Sequence, residues 1–329
     1  MFGIIIPFGV RGKFRSECAM GGENPVVPNT AIIDAALATV LETKNQLGIG
    51  FPTFGAEYES ASQQLRAISQ EMVRVFQLAP WSGPAGEMFA IESQALANFV
   101  AELATVERNV AMVIRRQAGG VIGARKSLDE IHADLHAAKT AALALADSGN
   151  EPESLTLQEG AAANATSRCS GTVQELEVVT TSQAAKMANL CSGLTIMQRQ
   201  LSLGFVPLRP QLSSIMSVAP GKLTNMATAV SHCAIALQTQ SIAGPRILEQ
   251  VQLTHGSRLT EEFNSCLAEF EAIHIKTLAT ICGGIDARAT SLANAASNYQ
   301  QCDTLAAENL QPKKRQKIFC EITSFPQFH

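Results

Sequence analysis

The chain has 329 residues, of which 46% are hydrophobic but only 5% aromatic, and its formal net charge is −4. A chain of this length buries a substantial core as one large domain or two modest ones. An excess of small and aliphatic residues over rings is the composition of closely packed long helices rather than of a β-sandwich, and a mildly negative charge gives no general attraction for nucleic acid or anionic lipid.

Residues 1–29 read as an irregular leader. The apolar stretch Ile4-Ile5-Ile6 is followed at once by Pro7, no basic segment precedes it and no small-residue cleavage site follows, so it makes a poor signal peptide. No stretch of the chain reaches about 18 uninterrupted apolar residues, and no membrane span is expected.

Asn29 and Thr30 are cap candidates for a short helix over about Ile32 to Leu47, ended by Gly48-Ile49-Gly50-Phe51-Pro52. From Tyr58 the apolar residues Ala61, Leu65, Ile68, Met72, Val75 and Ala79 alternate by three and four, which places them on one helix stripe. That stripe stops at Pro80. After Trp81-Ser82-Gly83, Pro84 suits a first helical turn, and Leu96, Phe99, Leu103, Val106, Val110 and Val113 repeat the alternation. Two helices joined by so short a turn are antiparallel neighbours. The second stripe slips phase at Gly119-Gly120 and resumes at Leu128, Ile131 and Leu135, so a kink or stutter is expected there.

Residues 147–217 read as a linker and a weakly patterned helical segment: a loop near Asp147 to Leu157, helix-compatible sequence to Leu203, then a second loop from Gly204 to Pro210. A second helical hairpin occupies 218–310. Its first helix runs to about Gln240, a turn is expected around Gly244-Pro245, and a long helix from near Thr260 carries Leu267, Phe270, Leu278, Ile281, Ile285, Leu292 and Tyr299, with a bend at Gly283-Gly284. The tail, 311–329, holds the basic run Lys313-Lys314-Arg315-Gln316-Lys317, read as solvated. The fold class is therefore all-α, an elongated bundle made of two long helical hairpins.

The residues of the two hairpins resemble the mycobacterial type VII (ESX) secretion-associated Esp proteins. Residues 30–146 are similar to EspA in Ala31 to Asp34, Leu47 to Pro52 and Trp81-Ser82-Gly83; residues 218–310 are similar to EspC in Val218-Ala219-Pro220, Leu253 to Gly256, Phe263-Asn264, Gly284 to Asp286 and Tyr299-x-x-x-Asp303. The resemblance implies that two such hairpins pair into a four-helix arrangement and that the two motifs meet as an export signal. Trp81 and Gly83 would form the turn motif, and Tyr299 and Asp303 the secretion signal. Independently of the family, Trp81 has the size to fill the gap between two helix ends, and Tyr299 and Asp303, four apart, share a helix face. Segment 150–217 and both termini match neither half.

Little else in the chain carries chemistry. His132 and His136 have the spacing of two ligands on one helix face, but no third ligand can be named and they read as surface histidines. His255-Gly256-Ser257 stands without a Gly-x-Ser-x-Gly elbow, and there is no phosphate loop. Asn164-Ala165-Thr166 fits a glycosylation sequon. The eight cysteines, Cys18, Cys169, Cys191, Cys233, Cys266, Cys282, Cys302 and Cys320, include no Cys-x-x-Cys pair, and their spacing leaves the disulfide state open. No catalytic, cofactor-binding or metal-ligating residue is expected. The sequence thus points to a non-enzymatic substrate or accessory of type VII secretion, cytoplasmic before export and then secreted or at the cell surface. Its expected partners are the secretion ATPase or chaperone, other Esp or WxG-type proteins and further copies of itself, with no nucleic acid and no integral span. The rival readings are an intracellular scaffold or chaperone-like adaptor and a helical enzyme with a histidine metal site.

Overall fold

The computed structural model describes residues 30–48, 50–77, 84–204, 220–251 and 258–310. Within them the chain is all-α: α1 (Ala31–Gln46), α2 (Ala56–Gln77), α3 (Pro84–Asp147), α4 (Glu151–Gly204), α5 (Pro220–Val251), a short 3-10 turn (Arg258–Thr260) and α6 (Glu261–Leu310), with no strand among the described residues.

α2 and α3 are antiparallel and close. Ser62 donates to the Ala104 carbonyl (2.6 Å) and Ser69 to the Ala97 carbonyl (2.8 Å), so seven residues up one helix are matched by seven down the other. The short hydroxyls let the backbones approach while leaving no buried polar atom unmet. The stripe Tyr58, Ala61, Leu65, Met72 and Val75 is buried as the pattern requires. Gly55, just before α2, has a φ of 69°, and a Cβ there would stand 3.1 Å from the Ala111 Cα, so both conformation and space exclude a side chain.

Residues 151–204, the weakly patterned segment, form a single helix of 54 residues. A turn centred on Gly149 reverses the chain after α3, with Gly149 N–H donating to the Ala146 carbonyl and Asn150 N–H to the Leu145 carbonyl, both at 2.9 Å. α4 then runs back along α3 and reaches α6. Its buried positions 154, 158, 165, 169, 176, 180, 183, 187, 191, 194, 197 and 201 form one stripe at spacings of three, four or seven, but Ser154, Gln158, Thr180 and Gln183 occupy four of them, so the apolar pattern is weak.

Two cores follow. The smaller packs Ile33, Val40 and Leu47 of α1 against Leu128, Ile131 and Leu135 of α3 and Ala165, Cys169 and Leu176 of α4. The larger holds five helices in the order α2, α3, α4, α6, α5, each touching the next, with α5 closing back on α2. The four helices of the expected hairpin pair are thus present with α4 added as a fifth. Within the smaller core, Arg125 of α3 holds the end of α1 by donating to the Gly48 (2.7 Å) and Leu47 (3.2 Å) carbonyls.

The turn expected at Gly244-Pro245 does not occur, and the paired glycines of α3 and α6 lie inside continuous helices: α3 is helical through Gly119-Gly120, α5 through Gly244-Pro245 and α6 through Gly283-Gly284. At Gly120 the reason for a glycine is proximity: a Cβ would lie 3.0 Å from Val179 Cγ1 and 3.4 Å from Leu176 Cδ1, so this glycine is where α4 comes closest, whereas nothing stands within 4 Å of the corresponding position at Gly119. α3 passes from the larger core to the smaller here, and its buried stripe runs on through 110, 114, 117, 121, 124 and 128 without a slip. Accordingly Gly119→Ala should stabilise the fold by about 0.5–1 kcal/mol through helix propensity. Gly120→Leu should destabilise it by about 1–3 kcal/mol through overpacking, the pair being compared by urea unfolding.

Candidate functional site

Along the middle of the five-helix core, long polar side chains cross between α2 or α3 and α6. Tyr58 of α2 donates to Glu271 Oε1 at 2.6 Å. His274 Nε2 lies 2.7 Å from Glu107 Oε1 of α3, with the two side chains 6% and 2% exposed. Phe270 sits between them, edge-on to Tyr58 with ring centres 6.2 Å apart and stacked on His274 at 5.4 Å. Farther along, Arg288 pairs with Glu92 at 2.7 Å and covers the Phe89 ring at 5.8 Å. This seam joins the first hairpin to the second within one chain.

The seam is tightly buried. Desolvation raises the Glu271 carboxyl to about 7, against the lowering effects of the Tyr58 hydrogen bond and His274. Burial, then the Glu271 charge, pushes the Tyr58 phenol well above its ordinary range. Glu107 Oε2 has no hydrogen-bond partner and His274 Nε2 none that is well directed, so the pair is held by packing and by the short N···O approach. A cavity of about 30 Å³ lies elsewhere, lined by Thr53, Gln117, Thr260 and Asn264 among others, and has room for a water molecule.

The seam also fixes the register of the motif residues. Glu107 faces His274 and Glu92 faces Arg288, so α3 and α6 are antiparallel. From Arg288 to Tyr299 is about 17 Å along the axis, and from Glu92 back to Pro84 about 12 Å; Tyr299 therefore stands about 5 Å, or one turn, past the first residue of α3. Tyr299 is partly buried and packs against the larger core, and Asp303, one turn on, is exposed. After Ala296 no described residue of α6 is buried, although the helix continues to Leu310. Its last turns form an arm about 20 Å long beyond the body of the bundle. Trp81 and Gly83 lie outside the described residues, as do the leader, the basic tail and His255.

His132 and His136 are on α3, partly buried and exposed respectively, with ring centres 4.6 Å apart. Among the described residues no group of three or more His, Cys, Asp or Glu is placed to hold a metal ion, and no described helix is long and apolar enough to cross a membrane. The seam residues Glu107, His274 and Arg288 were not singled out from the sequence. Their signal was a gap: on α6, positions 267, 270, 274, 278, 281, 285, 288 and 292 keep the alternation of three and four, and 274 and 288 are the two places where it lands on a charged or titratable residue.

Residues 47–130 match the EspA/EspE family, and residues 213–312 match the family described as excreted virulence factor EspC, type VII ESX diderm. Two Esp-type segments lie on one chain. No curated protein and no solved structure matches it. The Esp-type segments account for α2, the greater part of α3, α5 and α6, and the seam is the contact between them; α4 lies outside both.

Two outcomes follow for the seam. His274→Ala should cost about 3 kcal/mol by leaving the Glu107 carboxyl buried without its partner, and Glu107→Leu/His274→Leu should recover most of that loss in denaturant melts. Glu271 titrates near 7 when folded and near its ordinary 4.5 when unfolded, so the folded state keeps its proton where the unfolded state has lost it. Its contribution to stability is complete below about pH 4.5, falls as pH rises to about 7 and is flat above. Glu271→Gln, which still accepts from Tyr58, should abolish that slope, read as the difference between wild-type and variant unfolding free energies across the range.

Proposed function

We propose that this protein is a non-enzymatic substrate or accessory of a type VII (ESX) secretion system, exported as a folded helical pair and acting at the cell envelope or on a host. The observation that carries the reading is positional. The family-matched hairpins pair with each other through the buried seam, and the resulting register puts Tyr299 beside the start of α3, directly after Trp81-Ser82-Gly83 in sequence, with Asp303 exposed on the arm beyond. A partner that reads both ends of the pair would find them at one end of one molecule. In the Esp resemblance the two hairpins belong to separate proteins that must associate first. Joining them on one chain replaces a bimolecular step by an intramolecular one and fixes their ratio. The secretion ATPase or its chaperone is the partner this arrangement fits, with other Esp-type proteins next.

The buried polar groups support a structural rather than a catalytic role, because they are spent on contacts between helices. The test is partition between culture filtrate and cells. Asp303→Ala leaves the core untouched and should abolish appearance in the filtrate while folded protein accumulates in cells. Tyr299→Ala, and a host lacking the ESX ATPase, should do the same. Unchanged partition in all three would overturn the reading in favour of an intracellular helical adaptor.

A further inference from the structure

We propose that Cys191 of α4 and Cys266 of α6 form a disulfide that clasps the added helix to the second hairpin once the protein meets an oxidising medium. The Cys191 thiol points at the backbone of Cys266, with its Sγ 3.8 Å from the Cys266 carbonyl oxygen. A carbonyl oxygen lies about 2.4 Å from the Cα of its own residue, so Sγ of Cys191 is within about 6 Å of the Cys266 Cα; both thiols are free in this structure, and the bridge requires the Cys266 side chain to turn toward Cys191. Disulfides span Cα separations of about 4.4–6.8 Å, the spacing of two helices in close contact. Here that contact is fixed by the larger core, in which Met187, Leu194, Phe263, Leu267 and Phe270 pack around the pair.

The two thiols differ in access as a bridge-forming pair requires. Cys191 is 4% exposed, while Cys266 is partly exposed and can meet an oxidant. Cys191 is held up at about 11 by burial first, then by Glu269 and by Cys266 itself; Cys266 is raised by burial, then by Glu262 and Glu269. Cys233 and Cys282 are raised to about 11 as well, but no second cysteine is among the causes. Both thiols therefore stay protonated and quiet at neutral pH in a reducing compartment and react faster as the medium becomes alkaline.

The reaction is thiol–disulfide exchange with a small-molecule disulfide. Cys266 thiolate attacks one sulfur of the reagent, which leaves as one thiolate and gives a mixed disulfide; Cys191 thiolate then attacks Cys266 Sγ and expels the second. The two cysteine thiols lose two protons and two electrons in all, and the reagent is reduced to two thiols. The bridge would close a span of 75 residues, α5 included, and so would chiefly restrict the unfolded chain.

The test uses the full chain with Cys302→Ser, which removes the exposed thiol on the arm. The protein is incubated with oxidised glutathione at mildly alkaline pH, its remaining thiols are alkylated, and it is digested without reduction for peptide mass mapping. A linked pair of peptides containing Cys191 and Cys266 is expected, with a melting temperature higher by about 5 °C or more than that of the reduced protein. Adding Cys191→Ala should remove both effects and leave a single glutathione on Cys266. Recovery of both cysteines as alkylated thiols, a stable glutathione adduct on Cys266 of the unmutated pair, or bridges to other cysteines only would each overturn the proposal. The peptide map comes from protein with both cysteines intact, so a folding defect in the alanine variant would not alter it.

Discussion

One unbroken buried stripe on α3 serves both cores. Positions 89, 93, 96, 100, 103, 107, 110, 114, 117, 121, 124, 128, 131 and 135 are buried and keep the alternation of three and four along a rod about 96 Å long. The stretch up to Ile114 belongs to the larger core and that from Val121 on to the smaller. At the junction Gln117 makes a buried hydrogen bond to Thr180 at 3.0 Å, and Gly120 leaves room for Val179 of α4. α2 and α6 pack on the first stretch and α1 on the second, while α4 runs along both.

Ring size explains the chemistry of the larger core. Four helices meeting at ordinary separations bring aliphatic side chains into contact across the middle, but a fifth widens the ring, and the opposite members are reached only by long or planar side chains. Tyr58, Phe270, His274, Glu107 and Glu271 are such side chains. Their polar ends are partnered across the ring rather than solvated, which makes the seam selective: hairpins lacking these groups could fill the same volume but would leave a carboxylate or an imidazole without its counterpart.

Much of the architecture was legible from apolar spacing. The stripes on α2 and α6 predicted most of their buried faces, with Ile68 and Tyr299 only partly buried and Ala79 outside the described residues, and α1 begins and ends within a residue of its expected bounds. Elsewhere spacing misled in specific ways. On α3 the expected stripe through Phe99 and Val106 is displaced by one position, since Val100 and Glu107 are the buried residues and Phe99 and Val106 only partly so. A glutamate at a core position was invisible because its partner, His274, is far away in sequence. α4 looked weakly patterned because Ser154, Gln158, Thr180 and Gln183 stand at buried positions of its stripe, and the sequence does not show the neighbour, Val179, that makes Gly120 necessary. Of the motif residues, the position of Tyr299 could not be read without the register set by Glu107, His274, Glu92 and Arg288.

The arm at the end of α6 has a consequence for how its motif is presented. Beyond Tyr299, which packs on the larger core, residues 300–307 are all exposed, and a free helix of so few residues is marginal in water. The arm persists because the bundle has already supplied the costly nucleus, so helical order spreads outward from Ala296 and weakens turn by turn toward Leu310. Tyr299 stands at the anchored base and Asp303 one turn into the part that frays. The ring is held in place and the carboxylate sits on backbone that is less constrained, two residues four apart differing in stiffness because one lies nearer to the fold.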